Sequence, residues 1–372
     1  MAHDLRRLAS AGREVSRLAR AQLHRGQAAL QARGTPLDAR VHAARTAIKK
    51  TRALVRLVRP GLARPRARRQ ARRANRHLAK LACRMAPLRD AAVAITTFDR
   101  LTTGMSPDWQ PFLRGFRARL SAILARRTRR FERHQTLRRL RAGFERASVR
   151  VKRWRPEGEL RRATTRGFEA GYARARRAMA RAIDRDDGDA FHAWRRASKD
   201  HRHQVQFLTE LGSVAERRSA RSSAAAGPLP RTDDPAAGRP ALRARLAILE
   251  QLDERLGREH DLTCLEAVIE RQRRHFHEPK ARLHVLRALE HRRRALREEA
   301  RALGLQLYAH GPRTFFRTLG AVETGTGAPT EPEARGGAAE ASPDRVGRVG
   351  RDDSTSAGAR ATARSRSVSA AV

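Results

Sequence analysis

Two copies of one pattern, His-x-x-Arg-x-x-x-Lys-x-x-Arg, lie 150 residues apart. The first is His42, Arg45, Lys49 and Arg52 in VHAARTAIKKTR; the second is His192, Arg195, Lys199 and Arg202 in FHAWRRASKDHR. Guanidinium groups grip phosphate oxygens two at a time, ammonium groups add point charge, and an imidazole becomes a donor when an anion raises its pKa. These residue types therefore suit the holding of a polyanion. On a helix, steps of three, four and three residues keep the four side chains within about 80° and along about 15 Å of one face. One such stripe is usually a solvated face. Two with identical spacing imply an internal duplication with a shared purpose.

A second, apolar stripe must hold each of these helices in a fold. Val41, Ala44, Ile48, Val55 and Val58 supply it in the first copy, and Phe191, Trp194, Val205 and Leu208 in the second. Helical periodicity covers nearly every other segment, and no β-alternating segment stands out. Helices are predicted over 4–32, from Asp38 to about Arg59, over 66–86, from Asp90 to about Leu101, and over 108–150. A second set follows over 159–184, from Asp189 to Leu211, and over 241–257, 261–276 and 280–304. Pro87 is read as a stop, and Asp38, Asp90 and Asp189 as caps. Trp154–Gly158 reads as the junction between halves at 1–156 and 157–320. Residues 213–240 hold few large apolar groups and read as a disordered insertion in the second half; 321–372 read as a disordered tail.

Composition narrows the partner. The 372-residue chain carries 82 Lys and Arg against 38 Asp and Glu, a formal charge of +44. Only six of the basic residues are Lys. A GC-rich genome accounts for richness in Arg and Ala, but not for the excess of basic over acidic groups. Such a charge points to nucleic acid, an anionic membrane or polyphosphate. Aromatic content of 4% leaves few platforms for stacking single-stranded bases. Cys83 and Cys264 form no CxxC, so a disulfide framework or zinc site is not expected and a reducing cytoplasm fits. No apolar run approaches the length of a membrane span, and the N-terminus does not read as a secretory signal.

A second element also repeats. LAKLACRMAPLRD at 78–90 aligns with LEQLDERLGREHD at 249–261, matching Leu78 with Leu249, Leu81 with Leu252, Arg84 with Arg255 and Asp90 with Asp261. With the two stripe helices, these segments resemble the CHAD family, named for its conserved-histidine α-helical domain. VHAARTAIKKTRALVRLV and FHAWRRASKDHRHQVQFL are similar to its His-x-x-Arg helices, and PLRDAAV and LGREHDL to its following elements. The resemblance covers roughly 4–310 without the insertion. It implies an all-α fold of two four-helix bundles related by pseudo-two-fold symmetry around a basic channel that binds inorganic polyphosphate. The expected contacts are His42, Arg45, Lys49, Lys50, Arg52, His192, Arg195, Arg196, Lys199 and Arg202, with Arg84 and Arg255 as weaker candidates. Thr46 stands where the second copy has Arg196, which is expected to weaken the first stripe.

Other readings fit less well. The His260-Asp261 pair lacks the further ligands of a metal phosphohydrolase, and Asp90 and Asp261 are expected as caps or as partners of Arg. His201-x-His203 and His275-x-His277 are expected at the surface rather than on a metal, since neighbours two apart on a helix point about 200° apart. GxxxxGK[ST], HExxH and the Glu-x-Glu-x-Lys motif of triphosphate-hydrolysing tunnel domains are absent. The expectation is a non-enzymatic polyphosphate binder without cofactor or metal, cytoplasmic and associated with polyphosphate granules. The alternative is a sequence-independent nucleic-acid binder.

Overall fold

The computed structural model describes residues 2–62, 64–152, 160–223 and 238–315, with side chains described for 14–62, 64–151, 164–210 and 241–315. The described residues form the nine α-helices named below, three single 3₁₀ turns and one further helical turn at 312–315, with no strand. The helices are α1 (Ala2–Gln31), α2 (Leu37–Val58), α3 (Pro65–Thr102), α4 (Gln110–Arg133), α5 (Thr136–Lys152), α6 (Leu160–Arg185), α7 (Gly188–Ser223), α8 (Gly238–Arg271) and α9 (Pro279–Tyr308). The fold is all-α, as expected.

Several boundaries differ from those expected, each for a physical reason. α3 runs straight through Pro87. The proline removes one backbone bond, a cost of about 3 kcal/mol. Leu81, Met85, Leu88 and Ala92 are all buried on either side of it, and each large side chain returns about 1.5–3 kcal/mol. Asp90 therefore sits inside a helix and caps nothing, and the same holds for Asp261 inside α8. The single helix expected over 108–150 is broken at Gln135, whose φ of 49° turns the chain so that α5 packs back on α1 and α3. α7 continues past Leu211 to Ser223, and α8 already begins at Gly238. Of the expected insertion, 224–237 lies outside the described residues, as do the expected junction at Trp154–Gly158 and the tail. The cap of α7 is Asp187 rather than Asp189: its Oδ1 accepts the Ala190 amide at 2.7 Å. α2 starts after Pro36 without a side-chain cap, and Asp38 lies in its first turn.

The two halves do not keep separate cores. Val41, Ile48, Leu54 and Leu78 from the first half share one buried cluster with Phe168, Tyr172, Trp194 and Leu252 from the second. A smaller cluster joins Phe98, Phe116 and Leu120 to Leu265, Ile269 and Val285. α2 packs on α6 and α7, and α3 on α8 and α9, so helices in matching positions of the two repeats meet each other. Gly167 of α6 lies so close to α2 that a Cβ there would stand 1.6 Å from the Leu57 carbonyl oxygen. Only a residue without a side chain permits that approach.

Candidate functional site: a basic seam between α2 and α7

The apolar stripes do what their spacing requires. Val41, Ala44, Ile48, Val55 and Val58 are buried on α2, as are Phe191, Trp194 and Val205 on α7, with Leu208 at the edge. With those faces inward and the helices in contact, the basic stripes are left flanking the line where α2 meets α7. Arg45, Lys49, Lys50, Arg52, His192, Arg195, Lys199 and Arg202 are half-buried along it, while His42 and Arg196 are exposed.

At the middle of the seam the two stripes confront one another. Burial pushes the Lys49 ammonium down to about 7, and repulsion from Lys199, Arg195 and Arg45 adds to it; Asp253 acts in the opposite sense. Lys199 and Arg45 are likewise lowered, first by burial, with Arg195 among the repelling groups in both cases. His42 is lowered by desolvation and then by Arg89 and Lys49. Cations are thus packed more tightly than they would be in water.

The two stripes are held differently. Lys199 Nζ donates to both carboxylate oxygens of Asp253 on α8, at 3.0 and 2.8 Å. Arg202 Nε also lies 3.3 Å from Asp253, and Arg202 Nη1 lies 3.6 Å from Glu250. In the alignment of the repeats, Asp253 falls opposite Ala82 of α3. There Arg45 Nη1 donates to the Ala82 carbonyl at 2.6 Å. Arg52 Nε donates to Asn75 Oδ1 at 3.0 Å, and Arg56 pairs with Asp200 across the seam. The first stripe lacks the cation that Thr46 replaces, but Asp253 draws more charge from the second.

α3 and α8 border the seam as well. Arg84 is exposed on the outer side of α3. Arg255 is ion-paired with Glu254 at 3.3 Å and with Glu299 of α9. Neither joins the stripes. Their places are taken by Arg89 and His260, which align with each other one residue before Asp90 and Asp261. Arg89 acts on His42, Arg45 and Asp90. His260 Nδ1 lies 3.1 Å from His192 Nδ1. Burial beside Arg195 and His192 pushes His260 down to about 3, and His192 is lowered as well. Both rings are neutral at pH 7. One donates its Nδ1 proton to the other, so the accepting ring carries its own proton on Nε2.

Asp90 and Asp261 are raised by burial, against the pull of Arg45 and Lys49 on one and Arg195 and Arg89 on the other. Cys264 has its Sγ 3.6 Å from His260 Nε2 and is pushed up to about 11 by burial and by Asp90 and Asp261. It remains a thiol. Among the described residues no group of three or more His, Cys, Asp or Glu is placed to hold a metal ion.

Two histidines expected at the surface are buried. His201 is 0% and His203 1% exposed. α7 is covered by α6 and α8 as well as α2, so side chains pointing in opposite directions both meet protein. His201 stacks on Phe168 at 5.0 Å and accepts from Arg245 Nε at 3.3 Å. Burial holds both imidazoles well below their usual range.

No helix among the described residues is long and apolar enough to cross a membrane. No curated protein matches the chain. The sequence profile of the CHAD domain, a family associated with polyphosphate binding, matches residues 17–226. That match contains both stripe helices and all of α3, and spans more than half of the sequence; the chain belongs to the CHAD family.

Proposed function

We propose that this chain binds inorganic polyphosphate along the seam between α2 and α7, and that it does so without catalysis. The observation that carries this reading is the meeting of Lys49 with Lys199, Arg195 and Arg45, where burial and mutual repulsion together bring one ammonium to about 7. A linear polyanion relieves that repulsion, and its oxygens accept from guanidinium groups already held by Ala82, Asn75 and Asp253. The seam residues named above include no Phe, Tyr or Trp on which a base could stack, which favours a ligand made of phosphate alone. Polyphosphate has no base edges to read, and nothing more than charge and oxygen geometry is required of the site.

Replacing Arg45, Lys49, Arg195 and Lys199 together by Glu should remove most affinity for long-chain polyphosphate, at least a hundredfold, with the helical circular dichroism unchanged. The same reversal at Arg126, Arg129, Arg130 and Arg133, all exposed on α4, should cost less than tenfold. Equal losses in the two variants would show diffuse binding and remove the seam from consideration.

A further inference from the structure

Positive charge is divided unevenly between the repeats. Residues 1–156 hold 41 Lys and Arg against 8 Asp and Glu, whereas 157–320 hold 34 against 23. One genome wrote both halves, so base composition does not explain the difference. The contrast is sharpest between the matching helices α3 and α8. From Arg64 to Arg89 there is no acidic residue, while α8 carries Glu250, Asp253, Glu254, Glu259 and Asp261 over a comparable length.

The unpaired cations of α3 also lie in line. Arg66, Arg69, Arg73, Arg76, Lys80 and Arg84 follow one another at steps of three or four residues and stay within about 80° of one face over about 27 Å. All six are exposed. None of them has a carboxylate within ion-pair distance among the described residues. On the same helix the core side is marked by Ala74, Leu78, Leu81 and Met85. The side toward the seam is marked by Asn75 and Ala82, and the side toward α5 by His77, whose Nε2 lies 3.0 Å from the Gly143 carbonyl. The six-residue ridge belongs to none of these. It faces away from the core and is separate from the seam.

We infer that this ridge is a second polyanion surface and that its partner is duplex DNA, bound through phosphates without regard to sequence. An open, convex row of cations offers no second wall, so a flexible phosphate chain laid on it would lose freedom for contacts on one side only. A duplex is already stiff and presents about eight phosphates per strand over the length of the ridge. The ridge offers only a row of cations at regular spacing, which suits contact with the regularly spaced phosphates of a backbone.

The test uses the full chain, a mixed-sequence 20-base-pair duplex as fluorescent probe and, in parallel, long-chain polyphosphate by calorimetry. The ridge variant carries Arg66→Ala, Arg69→Ala, Arg73→Ala and Arg76→Ala. The comparison variant removes the same charge from exposed positions in the second half, through Arg273→Ala, Arg274→Ala, Arg287→Ala and Arg292→Ala. The ridge variant should bind duplex at least tenfold more weakly at moderate salt. Its slope of log affinity against log salt should fall by about 3.6, while polyphosphate affinity stays within twofold. Undiminished duplex binding, or equal loss in the comparison variant, overturns the proposal. Joint loss of duplex and polyphosphate overturns it too, because the ridge would then be part of the seam's footprint. A wild-type chain that binds duplex through the ridge but fails to bind polyphosphate would refute the proposed function and leave this inference standing.

Discussion

Lys49 couples the proposed ligand to protons. Its ammonium is held near 7 in the ligand-free chain by burial and by Lys199, Arg195 and Arg45. A bound polyanion favours the charged form and raises that value. Below about pH 7 the group is protonated in both states, and affinity is at its full strength. Above it, binding must take up a proton, and affinity falls by up to tenfold per pH unit until the bound-state pKa is reached. At pH 7 about half a proton should be absorbed by Lys49 per binding event. Calorimetry in buffers of differing ionisation heat measures this, and Lys49→Arg should abolish the Lys49 share. The same shift has an opposite face in stability. The folded pKa lies below the unfolded one, so Lys49 destabilises the ligand-free fold at and below pH 7 and ceases to do so as pH rises toward its ordinary value. Lys49→Met should raise Tm at pH 6 by about 2–4 °C while weakening polyphosphate binding.

At the scale of elements, the joint between the two ends of the second repeat depends on one buried pair. Arg297 of α9, 8% exposed, donates from Nε and Nη2 to Glu259 Oε1 of α8 at 3.1 and 3.0 Å. Its Nη1 reaches the Asp186 carbonyl at 2.7 Å, in the turn between α6 and α7. Arg297→Ala leaves Glu259 buried without its partner and should cost about 3–5 kcal/mol, read as a shift of the urea midpoint. Nothing in the one-dimensional pattern announced this joint, because Glu259 and Arg297 are 38 residues apart on different helices. The stripes were legible because a helix repeats its faces locally, and two copies of one spacing stand out against a background of Arg. Arg89 and His260 differ in residue type between the aligned segments, so their shared approach to the stripes shows only in the helical face on which each falls. Pro87 misled for a related reason: a proline's cost is local, while the buried Leu81, Met85 and Leu88 that outweigh it draw their partners from distant segments. The burial of His201 and His203 was hidden in the same way, since only the packing of α6 and α8 around α7 determines it.

For the molecule as a whole, a seam that unites both stripes should respond to ligand length. Tripolyphosphate can engage part of one stripe, whereas a long chain contacts both, and contacts linked along one polymer raise effective concentration. Affinity should climb steeply with chain length and level off once the seam is spanned. Arg195→Ala with Lys199→Ala should weaken long chains far more than tripolyphosphate. A length series measured at fixed salt decides this: a curve without a plateau, or equal losses at both lengths, rules out the shared seam.

The common core described above has a consequence for ancestry. Ile48 and Leu54 of one repeat and Trp194 and Leu252 of the other belong to one buried cluster drawn from both. A half-length forerunner paired with itself would build the same shared core, and Gly167 against Leu57 marks how closely the two repeats fit. Fusion then freed each copy to drift, which is how Asp253 could come to face the lysine stripe on one side while Ala82 does so on the other. If that history is still written in the packing, the covalent link is dispensable. Residues 1–156 and 157–320 expressed as separate chains should each be insoluble or unfolded alone, yet co-purify as a one-to-one helical complex when made together.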